Sequence, residues 1–385
     1  MNPCGPFLLF LTLLAIFTVG PSSVRAERDE EKLTLSTFRR AEGRREWRFP
    51  RDHGQHPAYL LEWWYYTGIV TSGKGRRFGY QVTFFRKGVA PRHQRPSAWA
   101  VRSLYLAHAT LSDLSKGEFL SEGRAGRDAL ALAGAASDRH EVWLLPWRAA
   151  PLADDPHGVR LMVRAEAFSL ELTLRAQGPP VLHGRGGLDQ KGAEPGQASW
   201  YYSQPRLETT GWVERDGRRH EVRGTTWMDH EFGTNQLGED QTGWDWFGLR
   251  LSDGTSLMLY RLRRQDGGIA PHSSGSLIGA DGRTVLLQLG DGPNPVTLTP
   301  LRWWQSPASQ ARYPVAWRIV VPAENLELEI TPELDNQELT AGRGVPFPYW
   351  EGAVRVTGTR GGIAISGEGY LELTGYAGGL RESFR

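Results

Sequence analysis

The sequence predicts an all-β chain folded as two tandem antiparallel barrels, and three observations carry that expectation: alternating strand patterns, dense turn punctuation and an internal repeat. From Trp47 onward, short runs with period-two alternation recur, as in Phe78-Gly79-Tyr80-Gln81-Val82-Thr83-Phe84-Phe85 and Val159-Arg160-Leu161-Met162-Val163-Arg164. The 46 Gly and 24 Pro place turns between them. No long segment keeps a 3.6-residue apolar stripe, although Arg127 to Ala136 could form a short helix. Arg92 to Ser97 and Gly184 to Gln197 read as mobile loops.

The repeat is the most informative of the three. Trp63-Trp64-Tyr65-Tyr66-Thr67-Gly68-Ile69-Val70 turns back into Tyr80–Arg86, and Trp244-Asp245-Trp246-Phe247-Gly248-Leu249-Arg250-Leu251 turns back into Leu257–Arg263. Each begins Trp-x-aromatic-aromatic. The ends of the halves also correspond: Tyr201-Tyr202 leads through a hairpin to Val222–Asp229, and Tyr349-Trp350 leads through another to Ile365–Glu372. A chain of 385 residues is long for one core and comfortable for two. The expected division is a first barrel over residues 45–238 and a second over 239–385, with the junction between Leu237 and Gln241. One large sandwich with chance similarity among aromatic strands is the alternative.

Residues 1–26 read as a secretory signal, with an apolar run from Phe7 to Val19 and small residues at Val24 and Ala26 that suit cleavage after Ala26. The expectation is an exported protein, periplasmic or extracellular. Cys4, the single cysteine, would leave with the signal, so the mature chain would use neither disulfides nor thiolate chemistry. A net charge of +2, from 45 basic and 43 acidic residues, argues against a polyanionic partner such as nucleic acid. The 15 Trp, 12 Tyr and 14 Phe exceed what a plain core requires, which suggests a ring-lined cavity for an apolar small molecule; an aromatic-rich core is the simpler account.

Three clusters could carry chemistry. The first is Asp52-His53-Gly54-Gln55-His56 followed by Glu62-Trp63-Trp64-Tyr65-Tyr66. Two histidines three apart could ligate zinc, but such a site needs a further ligand at a fixed place, so an ordered polar lid at the barrel mouth is preferred and no metal or cofactor is expected. Glu62 is either a carboxylate satisfied by backbone donors or a buried acid of raised pKa.

The second cluster is Trp227-Met228-Asp229-His230-Glu231-Phe232-Gly233, at the junction of the halves. On a strand Thr225, Trp227 and Asp229 share one face while Met228 and His230 take the other, so acid and imidazole meet only if the strand bends near Gly233. A ligand site and a hydrogen-bonded junction are both open.

In the third, Gly243-Trp244-Asp245-Trp246-Phe247-Gly248, an acid is flanked by rings. Desolvation would keep Asp245 neutral until it protonates an alkene, and the rings would steady the cation formed; a satisfied carboxylate is the bland alternative. His108, on an otherwise apolar strand, reads as a satisfied core histidine. No Gly-x-Ser-x-Gly elbow, phosphate loop or metalloprotease helix appears.

The segments Phe49-Pro50-Arg51-Asp52-His53-Gly54, Glu62-Trp63-Trp64-Tyr65-Tyr66-Thr67-Gly68, Tyr201–Leu207, Trp227–Gly233 and Gly243–Phe247 resemble, in order, the AttH/CrtC-like group. That group includes exported proteins described as predicted secreted hydrolases, together with carotenoid hydratase. The resemblance implies two lipocalin-like (calycin) domains and a site for lipid, isoprenoid or polyene molecules. The hydratase branch carries a His-x-Trp element whose counterpart here is His230-Glu231-Phe232, with Phe232 in place of tryptophan. The pattern is closer to the AttH branch, which implies association with a membrane export system for lipid-like cargo.

Two functions follow. In the first, a hydratase or hydrolase, Asp229 or Asp245 supplies a proton, His230 orients water, and Trp63, Trp64, Trp244 and Trp246 stabilise positive charge. Glu62, Tyr66, Tyr202, Trp227, Phe232 and Tyr260 complete the expected ligand surface. In the second, the same rings serve a non-catalytic lipid carrier or chaperone.

Overall fold

The computed structural model describes residues 37–89, 97–290, 295–342 and 344–378. The expected signal segment and part of the Arg92 to Ser97 loop lie outside the described residues. The described chain is almost entirely strand, with three short 3-10 turns.

The strands form two antiparallel sheets. The first runs, from edge to edge, Glu118–Arg127, Ser103–Asp113, Arg77–Gly88, Leu61–Ser72, Arg218–Gly233, Ala198–Arg215, Phe168–Ala176, Val159–Arg164, Trp147–Pro151, Val142–Leu144 and Ala133–Ala135. It curls until its edges meet: a Cβ on Gly126, in one edge strand, would lie 2.5 Å from Leu144 of the other end. The second runs Thr284–Gln288, Ser274–Ile278, Ser256–Arg264, Gln241–Leu251, Ile363–Leu373, Tyr349–Arg360, Leu326–Pro332, Arg312–Val321 and Thr297–Gln305. A bridge between Leu289 and Val296 brings its two ends together.

The repeat is visible in the topology. In each sheet the opening hairpin lies beside the closing hairpin: Leu61–Ser72 pairs with Arg218–Gly233, and Gln241–Leu251 pairs with Ile363–Leu373. Two tandem barrels therefore replace the single-sandwich alternative. Arg127 to Ala136 holds no regular α-helix; it contains one 3-10 turn at Ala129–Ala131 and then a strand, Ala133–Ala135, because the apolar residues there alternate into the first barrel.

Each barrel interior is filled by side chains. Trp64, Tyr66, Tyr80, Phe84, Trp147 and Tyr202 pack with aliphatic residues in the first, and Phe247, Trp317, Trp350 and a leucine-rich set do so in the second. Each fully buried large side chain contributes about 1.5–3 kcal/mol by its removal from water. Trp47 and Phe49 pack against the first core, and the Arg51–His53 turn that follows buries Asp52 and His53.

A third apolar layer lies between the barrels and includes Tyr65, Ile69, Tyr201, Trp227, Trp246, Met258, Tyr260 and Tyr370. The outer faces of the two repeat hairpins meet there. Gly79 permits close approach, since a Cβ on it would sit 2.9 Å from Ala353 and 2.7 Å from Tyr370 Oη. His108 hydrogen-bonds Tyr349 Oη at 2.7 Å and the Gly344 carbonyl at 2.8 Å; it is satisfied, as expected, but between the barrels and not within a core.

Candidate active site between the barrels

The strand register sorts the aromatic block into two sets. Trp63 lies opposite Glu231, and Tyr65 opposite Asp229; on the other side of the same strand Tyr201 faces Glu231, and Ser203 faces Asp229. Cross-strand partners share a sheet face, so these side chains all point outward toward the second barrel. The alternate set, Trp64, His230 and Tyr202, points into the first barrel.

The outward set lines an open-mouthed cavity between the barrels. Its walls include Trp63, Tyr65, Phe85 and Tyr201 from the first half and Trp244, Trp246, Tyr260 and Leu262 from the second. Asp229, Glu231, Glu372 and Lys191 supply its ionisable groups. Lys191 belongs to the segment expected to be a mobile loop. That segment is tied down: Trp47 Nε1 donates to the Gly186 carbonyl at 2.9 Å, and Gln241 donates to the Lys191 carbonyl at 2.7 Å. Three glycines with left-handed φ, Gly184, Gly186 and Gly187, make the turn that such tethering requires.

Asp229 is fully buried and meets neutral donors. Tyr201 Oη donates to its Oδ2 at 2.7 Å, Trp227 Nε1 to its Oδ1 at 2.6 Å, and Ser203 Oγ also to Oδ1. Burial raises its pKa to about 7, against the lowering effect of these three donors. Trp246 Nε1 donates to Tyr201 Oη at 3.0 Å, so a residue of the second barrel orients the phenol that orients the acid. His183 bonds Ser203 Oγ at 2.6 Å and Ser276 Oγ at 2.9 Å. The contact order is thus Asp229–Ser203–His183, in which Ser203 gives its proton to the acid. A hydrolytic triad instead places histidine between acid and nucleophile.

Glu372 is a second such acid. Trp244 Nε1 donates to it at 2.7 Å, and burial raises its pKa to about 7. Its cross-strand neighbour Glu351, bonded by Tyr65 Oη at 2.6 Å, is pushed well up by burial and by Glu372. Glu231 is raised by burial while Lys191, 3.3 Å away, and Ser199 act against it. Lys191 is anchored by Asp189 at 2.7 Å and lies 3.8 Å from the Tyr260 ring centroid. Tyr260 Oη in turn donates to Asp189 at 3.0 Å. Near neutral pH the cavity therefore presents proton-bearing carboxylic acids among rings, the combination suited to moving protons on and off an apolar molecule.

The structure splits the sequence-predicted site. Asp229, Trp63, Trp244, Trp246 and Tyr260 meet at the cavity, and Trp227 stands behind Asp229 as its donor. His230 does not join them, because the strand stays pleated through Asp229 and carries it into the first barrel. There it bonds Tyr202 Oη at 3.0 Å and Glu62 at 2.9 Å and stacks on Trp64, with ring centroids 4.8 Å apart.

Trp64, Tyr66, Tyr202 and Glu62 sit on that inner side too. Trp64 Nε1 donates to the His53 carbonyl at 3.0 Å, and Tyr66 Oη bonds His140 at 2.6 Å. Phe232 stacks on His56 at 3.6 Å, away from the cavity. Asp245 is turned from the flanking tryptophans and held by Arg261 at 2.6 Å, Arg263 at 2.5 Å and Tyr376 at 2.8 Å. Its carboxylate is thus ion-paired with two guanidinium groups and does not line the cavity, unlike the ring-flanked acid the sequence suggested.

Glu62 has a guanidinium partner as well. Burial pushes its pKa up, but Arg86 at 2.9 Å together with His230 and His56 outweighs this and holds it well below the usual carboxylate range. Residues the sequence reading missed are Tyr65, Tyr201, Ser203, Glu231, Glu351, Glu372 and Lys191. The repeat could have found Glu372, since Ile365–Glu372 was matched to Val222–Asp229 and its last residue aligns with Asp229.

Among the described residues one group has the make-up of a metal site: His56, Glu62 and His230, whose potential ligand atoms all lie within 4.8 Å of one another. His53, the expected partner of His56, instead bonds Tyr202 Oη at 2.7 Å and His157 at 3.3 Å.

Comparison with known proteins agrees with this architecture. A crystal structure of a putative AttH from Nitrosomonas europaea superposes with a TM-score of 0.77 at 35% identity, covering 88% of this chain and all of that one. Kievitone hydratase from Nectria haematococca shares the fold, with a TM-score of 0.67 at 16% identity, covering 89% of this chain and 98% of that one. CghA with Sch210972 also shares it, with a TM-score of 0.52 at 17% identity, covering 84% and 90% respectively. The dehydratase asqC of Emericella nidulans is 23% identical over 212 residues, or 53% of this chain, and the match spans 58% of the fungal protein's length. The family model described as AttH-like matches residues 40–376, nearly the whole of both barrels, and the chain belongs to the AttH-like family.

Proposed function

We propose that this protein adds water to, or removes it from, an apolar isoprenoid- or polyene-like molecule held between the barrels, with Asp229 as the proton-transferring group. One observation carries the reading: a fully buried carboxyl with pKa near 7, held by neutral donors, at a ring-lined cavity. In the hydration direction Asp229 gives its proton to an alkene carbon. The cation left on the neighbouring carbon is steadied by Trp63, Tyr65, Trp244 and Trp246. Water attacks that carbon and loses a proton to a carboxylate, Asp229 or Glu372. In the dehydration direction the acid protonates a hydroxyl, water leaves, and a carboxylate removes the adjacent proton. The names of kievitone hydratase and of the dehydratase asqC support this class of reaction. The triad order described above weighs against hydrolysis.

The test has two arms. Native mass spectrometry of the purified protein identifies what co-purifies, and incubation of a terminal isoprenoid alkene or its tertiary alcohol in D₂O then reads deuterium at carbon. Deuterium incorporation that disappears in Asp229→Asn supports the enzyme. A stoichiometric ligand recovered unaltered, with no exchange, makes the protein a carrier.

Export rests on the sequence of residues 1–26, with its apolar run from Phe7 to Val19. Recovery outside the cytoplasm with an amino terminus at Glu27 supports it, and a cytoplasmic protein beginning at Met1 rejects it.

A further inference from the structure

We propose that the first barrel carries a divalent transition-metal site of the zinc class, formed by His56 Nδ1, Glu62 Oε1 and His230 Nε2. Glu62 Oε1 lies 2.8 Å from His56 Nδ1 and 2.9 Å from His230 Nε2. Two imidazoles and one carboxylate form a common zinc donor set, and three protein ligands leave a position for solvent.

The surrounding contacts point the same way, because each donor is oriented through its other atom. His56 Nε2 is 3.3 Å from Asp52 Oδ1, so the proton on that nitrogen leaves Nδ1 free to ligate. His230 Nδ1 is 3.0 Å from Tyr202 Oη, which leaves Nε2 free. Glu62 Oε2 accepts from Arg86 Nε at 2.9 Å, and the His56 backbone N–H lies 2.9 Å from Oε2 and 3.0 Å from Oε1, the oxygen that faces both imidazoles. Carboxylate or hydroxyl partners on the distal nitrogen are the usual outer shell of metal-bound histidine.

The donors are also pre-organised by packing. Phe232 stacks on His56, Trp64 stacks on His230, and Glu62 and His230 are fully buried. His56, with 11% of its side chain exposed, gives the ion a way in. Without a cation, both imidazoles must donate N–H to the same carboxylate oxygen. An ion takes the place of those two N–H groups, and each neutral imidazole then carries its single proton on the distal nitrogen, Nε2 of His56 and Nδ1 of His230. Arg86 opposes the ion electrostatically, and Asp52 beside His56 offsets part of that opposition. The site does not depend on the reading of the cavity, since it lies across the sheet from Asp229.

The experiment uses the full chain, stripped with chelator and titrated with Zn²⁺ by calorimetry and with Co²⁺ by visible absorption. One saturable equivalent and a zinc-dependent rise in thermal midpoint are expected. His56→Gln and His230→Gln remove the binding, His157→Ala retains it, and Asp52→Asn weakens it by about 10–100-fold. X-ray absorption of the zinc-loaded wild type reads imidazole in the first shell without relying on any variant to fold. No saturable binding, a first shell without imidazole, or binding unchanged in His56→Gln and His230→Gln would overturn the proposal.

Discussion

Asp229 and Glu62 are both buried carboxyls in neighbouring, directly paired strands, yet they have opposite electrostatics. Asp229 faces the second barrel and meets a phenol, a hydroxyl and an indole; its pKa rises to about 7. Glu62 faces the interior of the first barrel and meets a guanidinium and two imidazoles; its pKa falls well below the ordinary range. Burial raises both. The deciding difference is a cationic partner at hydrogen-bond distance, which Glu62 has in Arg86 and Asp229 does not. Asp245 likewise has guanidinium partners, Arg261 and Arg263, and is turned away from the cavity. An acid among aromatic residues in the sequence is therefore a proton donor only where its side of the sheet carries no guanidinium.

Substitutions on the two faces break or sharpen this contrast. The largest effect is expected for Asp229→Asn, which removes the transferable proton; turnover of the alkene or alcohol falls by about two to four orders of magnitude while apolar ligand binding changes little. Unchanged turnover in steady-state assays would assign the chemistry elsewhere, Glu372 first. Arg86→Met is the converse case. It leaves Glu62 buried in the first barrel without its guanidinium partner, so chemical denaturation should show a loss of about 3–5 kcal/mol.

The faces also differ in how stability depends on pH. Asp229 has a folded pKa raised above its unfolded value, so its contribution is present at acid pH and is lost as pH rises from about 4 toward 7. Glu62 has a folded pKa below its unfolded value, so its contribution is present above about pH 4 and is lost on acidification. Denaturation of Asp229→Asn across pH should lack the first decline and keep the second. A smaller change is expected for Tyr201→Phe: loss of one donor to the carboxylate raises the Asp229 pKa further, shifting the alkaline limb of the rate profile up by about one pH unit. A limb that stays in place would mean Tyr201 does not set the acid.

Much of the fold is legible in the sequence, and the site only in part. Trp63–Val70 and Trp244–Leu251 mark the repeat because each opens the first hairpin of a barrel, and their alternation is local. The same alternation implied that Trp63 and Trp64 face opposite ways, but not which side was interior and which was the seam. His230 and Asp229 were separable for that reason, and His56, Glu62 and Asp245 were not assignable at all. The partners that decide them are long-range: Glu62 and His230 are 168 residues apart, and Tyr65 and Glu351 are 286 apart.

By itself the sequence determined the all-β class and the tandem repeat, because strand periodicity and turn residues act over a few positions. Only the tertiary structure decided which carboxyls keep their protons and which histidines meet. Those outcomes depend on solvent exclusion and on charges brought within a few ångströms by strand register and barrel packing, and no local pattern encodes such distances.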